Sequence, residues 1–245
     1  MSEDELKERL EQHKIYLTYF YTGGPKRGVK LDLQGENLVG ANLKSANLAL
    51  ANLNNANLEM ANLEGADLQM ANFECANLRC ATLNNAIFGK TNMHNANLEY
   101  AKLQMTSFKC GFNTSNDLSG AILKEADFGG AFFERACFEG AILHKARFEH
   151  ARFCLDFSFE KADLKGANFK GVCLTGVNFN DTNLDEASFE SSSLVRTSFV
   201  GANLKESNFV EAYLKDTCFL GANSNLLPFI YYLLPITYHL LRDSR

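Results

Sequence analysis

The sequence predicts an all-β solenoid in which square coils of short strands stack into a rod, closed at each end by a helical cap. Three observations carry the prediction. From Leu33 to Phe219 a bulky apolar residue returns at every fifth position except Asn113, with one slip of a single residue. Those positions sort into columns that repeat every 20 residues. The two ends of the chain abandon the pattern and are apolar in ways that suit covers.

The first element is an N-terminal cap and linker over residues 1–30. Ser2 followed by Glu5 is a capping-box start, in which each side chain satisfies a backbone N–H that the first helical turn leaves unpaired. Leu6, Leu10, Leu17 and Phe20 fall near one face of a helix over residues 3–21, and the stretch TGGPKRG stops it, because glycine and proline end helices. This helix is expected to cover the open end of the rod. A partner-binding amphipathic helix is the alternative.

The rod itself spans residues 31–221, and its repeat is plainest in ANLKSANLALANLNNANLEMANLEGADLQM (41–70). A helix buries a residue about every 3.6 positions and a strand every second one, so a period of five fits neither. It does fit a short extended stretch followed by a bend. From Leu33 to Phe153 the step of five gives 25 centres, of which only Met93 and Asn113 are not Leu or Phe; from Phe159 to Phe219 it gives 13 more. Two residues before most centres stands Ala or another small residue, as a narrow interior requires. The Asn or Asp just before the centre, such as Asn42 and Asn97, can bond the backbone at the bend.

If four repeats close one coil, the centres sort by 20. One column then reads Leu43, Leu63, Leu83, Leu103, Leu123, Leu143, Leu164, Leu184, Leu204, and its neighbour reads Leu48, Leu68, Phe88, Phe108, Phe128, Phe148, Phe169, Phe189, Phe209. Burying a centre returns about 2 kcal/mol. Ordering the 20 residues of a coil costs at least as much as its four centres return, so stability must come from stacking between neighbours.

The A-(D/N)-L-X-X signature resembles the pentapeptide-repeat family over about 190 residues. The resemblance implies a right-handed quadrilateral parallel β-helix. It also implies a family in which most members have no known activity, while the best understood are rods that mimic duplex DNA and inhibit or protect DNA gyrase.

Two breaks interrupt the rule, and interruptions of a regular scaffold are where function is often placed. In KCGFNTSND (109–117), Gly111 and Asn116 replace the usual Ala and Asn113 replaces a centre. The register is expected to survive, since Phe108 and Leu118 remain ten apart. Phe112 either turns inward in place of Asn113 or faces solvent beside Phe132. In CLDFSFE (154–160) one residue is inserted, so Asp156 or Phe157 must sit awkwardly. Arg135, Lys145, Arg147 and Arg152 precede this second break, and Asp181, Asp185, Glu186 and Glu190 follow it. Phe112, Phe132, Arg135 and Arg152 form the candidate protein-interaction patch, being the aromatic-plus-arginine mixture typical of interface anchors.

The C-terminal segment, residues 222–245, holds NLLPFIYYLLPITYHLL. Pro228 and Pro235 break it below the ~20 apolar residues that a bilayer needs, so a membrane anchor is not expected. Its surplus of apolar side chains reads as a helical cap, with Phe229, Tyr231, Tyr232, Leu234 and Tyr238 as candidate cap or dimer contacts. A homodimer through this segment and a cap on a monomer are both open.

Charge and composition bound the function. The rod region carries 16 basic against 23 acidic residues, which disfavours direct nucleic-acid binding. The charged N-terminus is unlike a secretory signal, and seven cysteines without a C-x-x-C pair suit a reduced cytoplasmic protein. An interior of Leu, Phe and Ala offers no converging polar groups. The five histidines are expected at outward or terminal positions, without metal-ligand spacing. The chain is therefore expected to be a non-catalytic rod with no cofactor and no metal, acting as a scaffold or binding another protein. The DNA-mimic reading is its alternative.

Overall fold

The computed structural model describes residues 1–23, 27–109, 115–154 and 157–223. It is a right-handed quadrilateral parallel β-helix with a helix at its N-terminal end. Helix α1 (Glu3–Thr22) is N-capped by Ser2, whose hydroxyl oxygen accepts the Glu5 N–H at 3.1 Å, and ends at Gly23, where φ is 70°. Its buried residues are Leu6, His13 and Leu17. Phe20, expected on that face, is 50% exposed and stacks on Tyr16 on the helix's own surface.

His13 corrects the expectation that the histidines lie outward. It is fully buried; the Leu31 N–H donates to Nδ1 at 3.0 Å, so Nε2 carries the hydrogen and donates to the Ala49 carbonyl at 2.9 Å. One imidazole thus ties the cap to the first coil at two points. Burial holds its pKa below the ordinary histidine value, partly offset by the Ala49 carbonyl.

Each repeat is extended through its centre and then bends over the next two residues, the second left-handed. Ser45, Met60 and Lys161, with φ of 55°, 58° and 59°, are three of 24 non-glycine residues with positive φ among the described residues. That conformation costs an L-residue roughly 1–2 kcal/mol, so the corner must be held from elsewhere. Three bonds per corner do this. At the corner after Leu43, the Ala46 N–H donates to the Leu43 carbonyl at 3.0 Å and the Ser45 N–H donates to Glu64 in the next coil at 2.8 Å. The Lys44 N–H meanwhile donates to Asn42 Oδ1 at 3.2 Å, the bend contact expected of Asn before a centre. The asparagines also bond one another coil to coil, as in Asn77 Nδ2 to Asn57 Oδ1 at 2.9 Å and Asn203 Nδ2 to Asn183 Oδ1 at 2.9 Å. Inside, where Thr or Ser replaces the small alanine, its hydroxyl bonds a core-facing carbonyl, as Thr182 does to Phe179 at 2.6 Å. The interior keeps no unsatisfied buried side-chain polar atom among the described residues.

Parallel pairing fixes four walls. The first carries the centres Leu33, Leu53, Phe73 and Met93, the second Leu38 to Leu98, the third Leu43 to Leu103, and the fourth Leu48, Leu68, Phe88 and Phe108. Up to this point the coils take 20 residues: Asn62 bridges Thr82 and Ser107 pairs with Ile87. The next coil takes 25, since Ser107 pairs with Phe132, Asn92 with Asp117, Asn97 with Ile122 and Lys102 with Asp127. The expected survival of register across residues 109–117 is therefore corrected. Phe108 lies on the fourth wall and Leu118 on the first, ten residues apart where a regular corner takes five. Leu103 is followed along its wall by Phe128, not Leu123, and Phe108 by Phe133, not Phe128. Ring geometry agrees: Phe108 stacks on Phe133 at 4.8 Å and 15°, but meets Phe128 at 6.3 Å and 56°.

Buried Asn116 stitches the irregular corner. Its Nδ2 donates to the Phe108 carbonyl at 3.0 Å, its Oδ1 accepts the Thr91 N–H at 3.1 Å, and its own N–H donates to Arg135 at 3.0 Å. Residues 110–114, including Phe112, lie outside the described residues. The second break behaves as one inserted residue, with Arg152 bridging Cys173 and Cys137 bridging Ser158 across 21. Phe157 turns inward there at 5% exposure and packs edge-on against Phe153 and Phe159, centroids 4.7 and 4.8 Å away. The lengthened coil has room for two rings on one edge, contrary to the expectation of one large residue per edge. No helix among the described residues is long and apolar enough to cross a membrane.

Candidate protein-interaction wall

The fourth wall holds the most continuous sheet. Strands β1 (Ile87–Phe88), β2 (Ser107–Phe108), β4 (Phe132–Glu134) and β6 (Arg152–Cys154) pair in parallel in that order, while β3 (Asn116–Asp117) and β5 (Ala136–Cys137) pair on the first wall. In each strand of the fourth wall the centre points in and the residue before it points out. Outward neighbours along the rod are therefore Asp67, Ile87, Ser107, Phe132, Arg152 and Cys173. Ile87 is 43% exposed.

Phe132 and Arg152 are pairing partners on adjacent strands, and the Arg152 guanidinium lies over the Phe132 ring, 5.6 Å from its centroid. Arg135 is the left-handed corner residue of the Phe132 repeat, at φ 52°. Three of the four patch residues named from sequence thus share one wall, and the fourth, Phe112, is outside the described residues. The basic run of the sequence is split. Lys145 stands on the second wall and Arg147 on the third, where it pairs with Asp127 at 2.6 Å. The acids that follow the break scatter likewise, Asp181 to the first wall, Asp185 and Glu186 to the second and Glu190 to the third. Phe229, Tyr231, Tyr232, Leu234 and Tyr238 lie outside the described residues.

Sorting charges by wall shows what the linear sequence hid. Among the described residues the fourth wall carries Lys90, Lys109, Arg135, Arg152, Arg196 and Lys215 against Asp67, Glu134 and Asp216, net +3. The first wall carries Asp32, Glu74, Asp117, Glu139, Glu160 and Asp181 against Lys161 alone, net −5. The second is net −3 and the third net −1. Lys90 and Lys109 were missed as partners of Arg135 and Arg152 because a strict period of 20 puts the two pairs on different walls.

Elsewhere the polar groups serve the stack. Arg79 bridges Glu59 and Glu99 in the coils before and after it at 3.0 and 3.4 Å, and His144 bonds Asp163 at 2.6 Å. Lys165 is held protonated by Asp185 and Glu186 at 2.7 and 2.9 Å. A cleft between α1 and the first coil is lined by Glu8, Arg9, Gln12 and residues 29–32, and Arg9 spans it to the Asp32 carbonyl and Glu36. Among the described residues no group of three His, Cys, Asp or Glu could hold a metal ion.

The sequence matches the family model described as pentapeptide repeats (8 copies) over residues 37–74, 76–109 and 117–154, and the pentapeptide repeat region over 141–219. The chain belongs to the pentapeptide-repeat family. The match to the pentapeptide repeats breaks between 109 and 117, the stretch where the coil takes 25 residues. No curated protein matches the sequence. Among solved structures, QnrB1, a plasmid-mediated fluoroquinolone resistance protein, is 18% identical over 85% of this chain and 99% of its own, with a TM-score of 0.36. HetL, a pentapeptide-repeat protein involved in heterocyst differentiation regulation in the cyanobacterium Nostoc, is 26% identical over 84% and 94%, with a TM-score of 0.29. A pentapeptide-repeat protein of the Arabidopsis thaliana thylakoid lumen is 25% identical over 51% and 67%, with a TM-score of 0.30.

Proposed function

We propose that this pentapeptide-repeat chain is a non-catalytic rigid rod that binds another protein across its fourth wall, centred on Phe132, Arg135 and Arg152. The supporting observation is the contrast between inside and outside. The interior is a continuous column of Leu, Phe and Ala, which leaves reacting groups no concavity in which to converge. The fourth wall, by contrast, combines a flat sheet, an aromatic ring and a run of basic residues. A core packed this densely flexes little, so binding proceeds by surface complementarity with small backbone change. Capture from the native cell tests this, using wild type beside the Phe132→Ala/Arg152→Ala double variant. Equal recovery of the same partner by both removes the wall from the interface.

A second reading, DNA mimicry directed at gyrase or a related topoisomerase, draws support from the adjacent first and second walls, net −5 and −3. A supercoiling assay with gyrase, with and without a quinolone, decides it: no effect in either format eliminates the mimic.

A further inference from the structure

We infer that the fourth wall receives an acidic ridge of a partner protein, a ridge shouldered by basic residues on the side that meets the first wall; this rests on reading the fourth wall as a docking surface. Four successive coils each place one cation on it, Lys90, Lys109, Arg135 and Arg152. The resulting ladder climbs at the strand spacing of about 4.8 Å per step.

Four of the six cations of this wall stand outside the ion pairs that tie coil to coil. On the other three walls Lys44, Arg79, Arg147, Lys161, Lys165 and Lys170 each pair with a carboxylate in a neighbouring coil, while Lys102, Lys124, Lys145 and Lys205 do not, among the described residues. Among the described residues, Lys109, Arg152, Arg196 and Lys215 form no ion pair. Their charge is available to an incoming surface, and Ile87 and Phe132 supply apolar contact between them.

The flanks decide what kind of anion fits. Three extended residues make the wall only about 10 Å wide, and around the corner from Arg135 the first wall presents Asp117, Glu139 and Asp181. A duplex, whose major groove alone is about 12 Å wide, or the plane of an anionic bilayer would press negative charge against those carboxylates. A protein can carry both signs within that width, acid toward the ladder and base toward the first wall.

Biolayer interferometry on the immobilised full chain at low salt tests the inference. The probes are an octaglutamate peptide, a twelve-residue oligothymidylate and phosphatidylserine vesicles. Octaglutamate is expected to bind, and Arg135→Glu/Arg152→Glu to weaken it about tenfold, while Lys124→Glu/Lys205→Glu on the second wall changes it less than about twofold. Absence of octaglutamate binding, equal loss in both variants, or equal binding of the oligonucleotide or vesicles overturns it. Native-partner capture separates the two levels. Capture lost in Phe132→Ala but kept in Arg135→Glu/Arg152→Glu preserves the docking wall and overturns its acidic partner. Capture indifferent to both removes the docking reading and the inference with it.

Discussion

Cysteine pairs can read the 25-residue coil directly. Asn97 and Ile122 are bridged residues on consecutive coils of the second wall, about 4.8 Å apart as neighbouring strands are, within the 4.4–6.8 Å that a disulfide spans between Cα atoms. Asn97 and Asp117 are 20 residues apart in sequence, but Asp117 bridges Asn92 on the first wall. In a background with the seven native cysteines changed to serine, Asn97→Cys/Ile122→Cys should oxidise to a single intramolecular disulfide. Asn97→Cys/Asp117→Cys should stay reduced. Closing a loop of about 25 residues lowers the entropy of the unfolded chain by an amount worth about 3.5 kcal/mol. Urea denaturation of the oxidised 97/122 variant against its reduced form measures that difference, and thiol titration with mass spectrometry reports which pair closed. Closure of the 97/117 pair with an unreactive 97/122 pair refutes the extra five residues in this coil and restores a uniform coil of 20.

Three further outcomes follow from the packing. Phe133 is fully buried and meets six other rings among the described residues, including Phe108 and Phe153 at 4.8 and 5.0 Å; Phe133→Ala should cost about 3–5 kcal/mol, read as a lower urea midpoint, and a loss under about 1 kcal/mol contradicts the central position of this ring. Gly176 has φ of 74° and no atom within 4 Å of where a Cβ would stand, so Gly176→Ala isolates the left-handed backbone penalty and should destabilise by about 1 kcal/mol in the same assay. His13 is buried with its pKa depressed, so the unfolded chain binds the proton more readily than the folded one. Its neutral contacts are intact above the unfolded pKa of about 6.5, and stability is lost as pH falls below it. Between pH 7.5 and 5 the wild type should therefore lose more stability than His13→Gln, whose amide can keep one donor and one acceptor; parallel loss in both proteins contradicts the assignment.

The two irregularities share a consequence for the surface. Both follow the fourth wall, after Phe108 and after Phe153, and they bracket the strands carrying Phe132, Arg135 and Arg152. The 25-residue coil sets the wall on which those residues appear, and so brings Arg135 and Arg152 into line with Lys90 and Lys109. A rod of identical coils would place them around the corner, next to the acids of the first wall.

The sequence alone determined the period, the identity of the interior and the chemistry of the corners. A bulky side chain every fifth residue can be buried only by a chain that bends as often, and Asn before a centre can satisfy the bend from its own side chain, as Asn42 does for Lys44. The N-cap at Ser2 was legible for the same reason, since its partner Glu5 is local in sequence. The tertiary structure decided which wall each residue occupies. The added stretch after Phe108 is one period long, so counting by five passes through it unchanged, and only the hydrogen bonds between coils, such as the Leu103 N–H to the Asp127 carbonyl at 2.7 Å, reveal the quarter-turn it introduces. His13 was hidden likewise, because its two partners, Leu31 and Ala49, are distant in the chain and adjacent only when the cap is seated.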